Sequence, residues 1–180
     1  APGWVEAAPA SPLNFTCATQ VPAVPVQTAT DNCGVPVIVD FSETVLPGNC
    51  VNRFTITRTW NAQDDCGNTT QRVQVINVND NIAPTLIGTP AATVNVTCSQ
   101  NVPAAAVVTA TDNCDAAVNV IYSEELVPGT CANQFSIKRT WTAEDICGNK
   151  TTFLQTITVS DTQAPGWVEA APASPLNFTC

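Results

Sequence analysis

The chain has no histidine and no methionine. Without histidine it lacks the commonest general base and the commonest metal ligand, which argues against most enzyme classes. Basic residues are also scarce: six Lys and Arg stand against fifteen Asp and Glu, for a net charge of -9 and a pI near 4.1. Such a chain repels phosphate backbones and anionic lipid, which argues against nucleic acid and membrane surfaces as partners and predicts no membrane insertion. No run of 18 apolar residues occurs, and nothing is built to span a bilayer as a helix. No two cysteines stand closer than 16 residues, which argues against the C-x₂₋₄-C knuckles of a Cys₄ zinc site. Helical periodicity with caps is missing throughout. No signal sequence is visible, and Ala1 reads as a cut in mid-protein.

What is present is repetition. Arg53 to Asn68, RFTITRTWNAQDDCGN, returns 81 positions later as QFSIKRTWTAEDICGN, Gln134 to Asn149. Roughly half the positions match when Cys17–Ile82 is laid on Cys98–Gln163. A second period is exact: residues 1–17 reappear unchanged as Ala164 to Cys180. The expected organisation is therefore a repeat over 1–82, another over 83–163, and the opening strand of a third over 164–180. Together they form a window on a longer array whose unit is a pair of unlike domains.

Within each repeat the residues alternate with a period of two. Phe54, Ile56, Arg58 and Trp60 share one parity, and Thr55, Thr57 and Thr59 the other, as in a half-buried central strand. Asp-Cys-Gly-Asn then turns the chain into a second alternating run, Arg72 to Val78 or Phe153 to Val159. Earlier runs predict strands at Leu13–Cys17 and Val94–Cys98, Val24–Thr30 and Val107–Thr111, and Val35–Phe41 and Val118–Tyr122. Leu46-Pro47-Gly48 and Val127-Pro128-Gly129 read as turns. The fold class this predicts is all-β: tandem immunoglobulin-like β-sandwich domains, with a small closed barrel as the lesser option. The linkers Asn79 to Pro84 and Ser160 to Pro165 are short and end in proline, which predicts stiff joints.

The nine cysteines lie at 17, 33, 50 and 66, then 98, 114, 131 and 147, then 180. Domains of about 80 residues bury little core, and covalent staples are the usual remedy. In the sandwich, Cys33 and Cys66 fall at one pole and Cys17 and Cys50 at the other. The predicted pairs are thus Cys17–Cys50, Cys33–Cys66, Cys98–Cys131 and Cys114–Cys147, two per domain, with Cys180 bonded to a residue beyond the window.

The string TATDNC, then SE, P-G-x-C and I-x-RTW-x-A-x-D-x-CGN-x-T, closely resembles the hyalin repeat (HYR) and HYR-like modules. The likeness covers both full repeats. It implies an immunoglobulin-like fold, an extracellular or cell-surface location, and a role in adhesion or in spanning distance, as in tandem arrays of large secreted bacterial surface proteins. It supplies no ligand.

Several residues carry competing readings. Arg58 and Arg139 sit on the apolar parity and need partners; Glu43 and Glu124, or Asp64 and Asp145, are placed to supply structural ion pairs, and a ligand-binding arginine is the alternative. Trp60 and Trp141 read as core, whereas Trp4 and Trp167 read as packing across a domain boundary or against a neighbouring chain. No cofactor is expected. One weak alternative is calcium, held by Asp80, Asp112, Asn113, Asp145 and Asn149; Asx turns account for the same residues. The N-x-T sequons at Asn14, Asn68, Asn95, Asn149 and Asn177 are glycan acceptors if the source organism adds them, with Asn68 and Asn149 the better placed. A lysine–asparagine crosslink fails because the first repeat has no lysine.

No nucleophile–base pair is spelled out, so the reading is not an enzyme. It is a structural repeat of an extracellular filament, stalk or giant surface adhesin, whose partners are neighbouring repeats and other copies of the chain. An adhesion module binding surface glycan or protein is the alternative, and subunits polymerising by strand donation the lesser one.

Overall fold

A computed structural model describes residues 1–34 and 37–168. It is all-β, two tandem β-sandwich-like domains with only two short 3₁₀ turns among the described residues. The first repeat contains β1 (Gly3–Trp4), β2 (Leu13–Phe15), β3 (Ala29–Thr30), β4 (Ile38–Cys50), β5 (Arg53–Gln63) and β6 (Thr69–Asn79). Its larger sheet runs β2-β6-β5-β4 and its smaller one pairs β1 with β3. The second repeat repeats the plan with β7 (Thr85–Ile87), β8 (Thr93–Val96), β9 (Thr109–Thr111), β10 (Val120–Cys131), β11 (Gln134–Glu144) and β12 (Lys150–Ser160). There the order is β10-β11-β12-β8, with β7 on β9. In each repeat the first strand of the larger sheet lies parallel to the last, β2 on β6 and β8 on β12.

Alternation along β5 decides what is inside. Ile56, Arg58, Trp60 and Ala62 are buried, while the residues between them are half-buried or exposed. Gln74, Ile76 and Val78 do the same along β6, paired in register with Arg58, Ile56 and Phe54. Trp60 and Trp141 are each 2% exposed, as core residues should be, with the rings of Phe41 and Tyr122 5.3 Å away respectively.

Two local expectations are corrected. Only Ala29–Thr30 of the run from Val24 forms strand, and Val26 is exposed; Pro22 and Pro25 remove ladder donors there. Leu46-Pro47-Gly48 is no turn but part of β4, where Leu46 pairs with Thr55 and Pro47 with Phe54. β4 is an edge strand, so the missing N–H of Pro47 costs no ladder bond. The ladder then shifts register between Pro47 and Cys50, and the true turn is Val51-Asn52. Gly48 allows the shift: a Cβ there would lie 2.1 Å from the carbonyl oxygen of Arg53.

By contacts the chain forms two compact units. One comprises Ala1–Pro90, Ala106–Ser123 and Thr140–Leu154; the other comprises Ala91–Ala105, Glu124–Arg139 and Gln155–Cys180. The whole boundary between the repeats lies inside the first unit.

Candidate functional site: the boundary between repeats

The boundary is built from turn chemistry on both sides. On the side of the first repeat, Asn52 in the β4–β5 turn is buried and its amide oxygen accepts the N–H of Ala18 at 2.9 Å. The Asn52 carbonyl accepts the N–H of Asp80 at 2.9 Å. Arg53 adds a third clamp, donating to the Asp80 carbonyl at 2.8 Å and to the side chains of Asn49 and Asn79. These bonds fix Cys17, Cys50 and the linker relative to one another.

On the side of the second repeat, two Asx loops present Cys114 and Cys147. Asp112 accepts the N–H of Cys114 at 2.8 Å and that of Asp115 at 3.1 Å. Asp145 accepts the N–H groups of Cys147 and Asn149 and the Asn149 side-chain amide, all within 2.9 Å. Gly148 takes φ +85, which such a loop needs. The Asn149 amide reaches on to the Asp80 carbonyl at 3.2 Å.

Two disulfides close the boundary: Cys17–Cys114 and Cys50–Cys147, with Cα separations of 5.2 and 5.1 Å, well within the normal range. This corrects the expected pairs Cys17–Cys50, Cys33–Cys66, Cys98–Cys131 and Cys114–Cys147. Cys17 and Cys50 do share one end of their repeat, and Cys114 and Cys147 share the facing end of theirs. The bonds run across the interface rather than along each pole, because each cysteine meets its partner on the next repeat. Cys33, Cys66 and Cys131 are exposed free thiols and Cys98 a half-buried one. Cys180 lies outside the described residues.

Beside the Cys17–Cys114 bond lies a pair of acids, Asp80 and Asp112. Asp80 is fully buried, its Oδ1 accepting the N–H of Ile82 at 3.2 Å and its Oδ2 without a partner. Oδ1 of Asp112 is likewise buried and without a partner. Burial pushes the Asp80 carboxyl above its ordinary value, helped by the negative charges of Asp112 and Asp145. Of the five residues named for a cation, Asp80 and Asp112 come together with Cys114. Asp145 spends both oxygens on its own loop, and Asn149 spends its amide nitrogen as a donor.

Arg58 and Arg139 are paired within their own repeats. Arg58, 4% exposed, meets Glu43 at 2.7 Å and the carbonyls of Pro22 and Ala23. Arg139 meets Glu124 at 2.7 Å and the Pro103 carbonyl at 2.9 Å. Asp64 instead holds its own loop, accepting from Cys66 and Asn68. The ring of Trp4 lies under the guanidinium of Arg72 in the same repeat, 4.8 Å away. Trp167 is 95% exposed. Among the sequons, Asn14 and Asn95 are exposed, whereas Asn68 and Asn149 use their amide nitrogens as loop clamps. Asn177 is outside the described residues.

Two β-sandwich-like domains in series, joined by cystines that cross their boundary, define a cross-linked tandem-repeat protein. Among known families, the HYR-like domain with 4 cysteines matches twice, over residues 5–78 and 86–159. The chain belongs to that family. No curated protein matches it. Among the described residues no helix is long and apolar enough to cross a membrane.

Proposed function

We propose that this chain is a structural segment of an extracellular, cell-surface fibre or adhesin stalk, a spacer without catalytic chemistry that holds length under load. One observation carries the reading: both disulfides join one repeat to the next rather than stapling a repeat to itself. A staple within a domain protects that domain's fold, whereas a bond between domains fixes the joint and shortens the covalent path through the array. Disulfides of this kind persist outside the cell, which favours the extracellular placement. The short Pro-ended linker and its hydrogen bonds to Asn52, Arg53 and Asn149 act in the same sense.

Pulling the chain from its ends tests this. In the oxidised form the 97 residues separating Cys17 from Cys114 are bypassed, so unfolding should release about 330 Å less length than in the reduced form, at roughly 3.4 Å per residue. Equal released lengths in the two forms would overturn the reading.

A further inference from the structure

We infer that the four free cysteines are two halves of the same junction, and that each end of the chain seats a further repeat of this kind through two more disulfides. This rests on the reading above and extends it to the partner. In the observed junction the first and third cysteines of one repeat, Cys17 and Cys50, bond the second and fourth of the next, Cys114 and Cys147. The unused cysteines are the complementary set: Cys98 and Cys131 are the first and third of their repeat, Cys33 and Cys66 the second and fourth of theirs.

The surroundings of these thiols are already shaped for the task. At the far end of the second repeat, Asn133 accepts the N–H of Ser99 on its side chain at 3.2 Å and that of Asp161 on its carbonyl at 3.0 Å. Oδ1 of Asp161 accepts the N–H of Gln163 at 3.0 Å. These bonds reproduce, position for position, those of Asn52 with Ala18 and Asp80, and of Asp80 with Ile82. At the other end, Asp31 accepts the N–H of Cys33, and Asp64 those of Cys66 and Asn68, as Asp112 and Asp145 do in the closed junction. Burial differs as an unmatched half requires: Asp161 is exposed where Asp80 is fully buried. Both halves therefore hold their bonded conformation before a partner arrives, which lowers the ordering cost of docking.

Each bond forms from two thiols, which give up two protons and two electrons to a disulfide oxidant; with oxidised glutathione, one molecule becomes two of the reduced tripeptide per bond. The test is to incubate the full chain, carrying Cys180→Ala, in a glutathione redox buffer and to map its linkages. A ladder of oligomers joined by Cys98 to Cys33 and Cys131 to Cys66 is expected, and Cys98→Ser with Cys131→Ser should abolish it. A second arm appends another copy of residues 18–163 after Cys180, where the same pairs should close within one chain. Linkage in either arm supports the inference and identifies whether the next repeat is supplied by a second copy or by the same chain. Free thiols at all four positions in both arms, or Cys33–Cys66 and Cys98–Cys131 bonds, would overturn it. The boundary disulfides, and with them the proposed function, would be untouched by that result.

A different observation carries a second inference. We infer that Asp80 and Asp112 hold a calcium ion between the repeats. Asp80 and Asp112 each keep a buried carboxylate oxygen without a partner, Oδ2 and Oδ1 respectively, and one oxygen of each carboxylate lies within 4.8 Å of the other's; uncompensated buried charge is costly. The third group there, Cys114, is bonded to Cys17 and has no thiolate to offer, which leaves oxygen donors and hence a hard cation. With two carboxylates, affinity on the order of 10⁻⁴ to 10⁻³ M is expected, as in extracellular calcium modules. Calorimetric titration of the full chain with CaCl₂ at pH 7 should show binding that Asp112→Asn abolishes and MgCl₂ does not reproduce. Absence of calcium binding at 10 mM by the folded wild-type chain would overturn this inference.

Discussion

Cys17 and Cys114 are 97 positions apart in sequence and directly bonded in space. Cys50 and Cys147 repeat the relationship with the same separation. In the chain-entropy model, closing a loop of this length removes about 4.7 kcal/mol of freedom from the unfolded chain. The second bond acts on a chain already constrained by the first and adds less.

Breaking one of the two should therefore be tolerated but measurable. Cys50→Ser is expected to lower stability by about 2 to 4 kcal/mol in urea denaturation under oxidising conditions. In excess dithiothreitol the variant and the wild type should converge. A gap that survives reduction would mean that the serine damages packing and that the covalent bond is not the cause.

Arg58 and Glu43 make unequal contributions. Arg58 is 4% exposed and Glu43 33%, as side chains. Removing the arginine leaves the carbonyls of Pro22 and Ala23 and the amide oxygen of Gln74 without their donor. Arg58→Ala should cost about 3 to 5 kcal/mol. Glu43→Gln keeps an oxygen for the Nε–H but takes the counter-charge from a buried guanidinium; because Glu43 is itself a third exposed and water reaches it, the loss should be smaller, about 1 to 2 kcal/mol. Equal losses in chemical denaturation would assign the stabilisation to the ion pair itself and not to the buried guanidinium.

Much of this was legible in the sequence, because alternation is a local property. The parity of Ile56, Arg58 and Trp60 follows from one strand, and the Asp64 and Asp145 loops from a single Asp-x-Cys-Gly-Asn string. The need of Arg58 for an acid followed from its place on the apolar face. The cystine pairing was not legible in the same way: grouping cysteines by pole requires only the topology of one domain, whereas choosing partners requires knowing that one pole faces another. The edge position of β4, which lets Pro47 and Gly48 stay within a strand, is likewise a property of the sheet and not of the tripeptide.

Gly48 and Gly129 should be intolerant of any side chain. A Cβ would meet the Arg53 oxygen at 2.1 Å in one repeat and the Gln134 oxygen at 1.8 Å in the other, so backbone has to shift. Gly48→Ala is expected to cost about 1 to 3 kcal/mol, in the range of other overpacking changes. Gly166, with nothing within 4 Å of its added Cβ, is the control and should accept alanine without loss. Similar melting temperatures for Gly48→Ala and Gly166→Ala would show that the register shift after Pro47 is pliable.

The acids at the boundary and in the loop tip should give opposite pH responses. The Asp80 carboxyl is raised above 3.8 by burial and by Asp112 and Asp145, while Arg53 touches only its backbone carbonyl. With calcium chelated, the folded chain takes up a proton there before the unfolded chain does. Stability from this group therefore rises as pH falls through the raised value, is complete below 3.8, and is lost again towards neutrality. Asp64 runs the other way. Its carboxyl is lowered by the Asn68 side chain and by the N–H groups of Asn68 and Cys66, so its contribution is full above 3.8 and fades as pH falls through the lowered value. Melting curves in EDTA, followed as pH is lowered from neutrality towards 3.8, should accordingly climb for the wild type and flatten for Asp80→Asn, with Asp64→Asn following the wild type above 3.8. A climb that persists in Asp80→Asn would place the titrating group elsewhere than at the boundary.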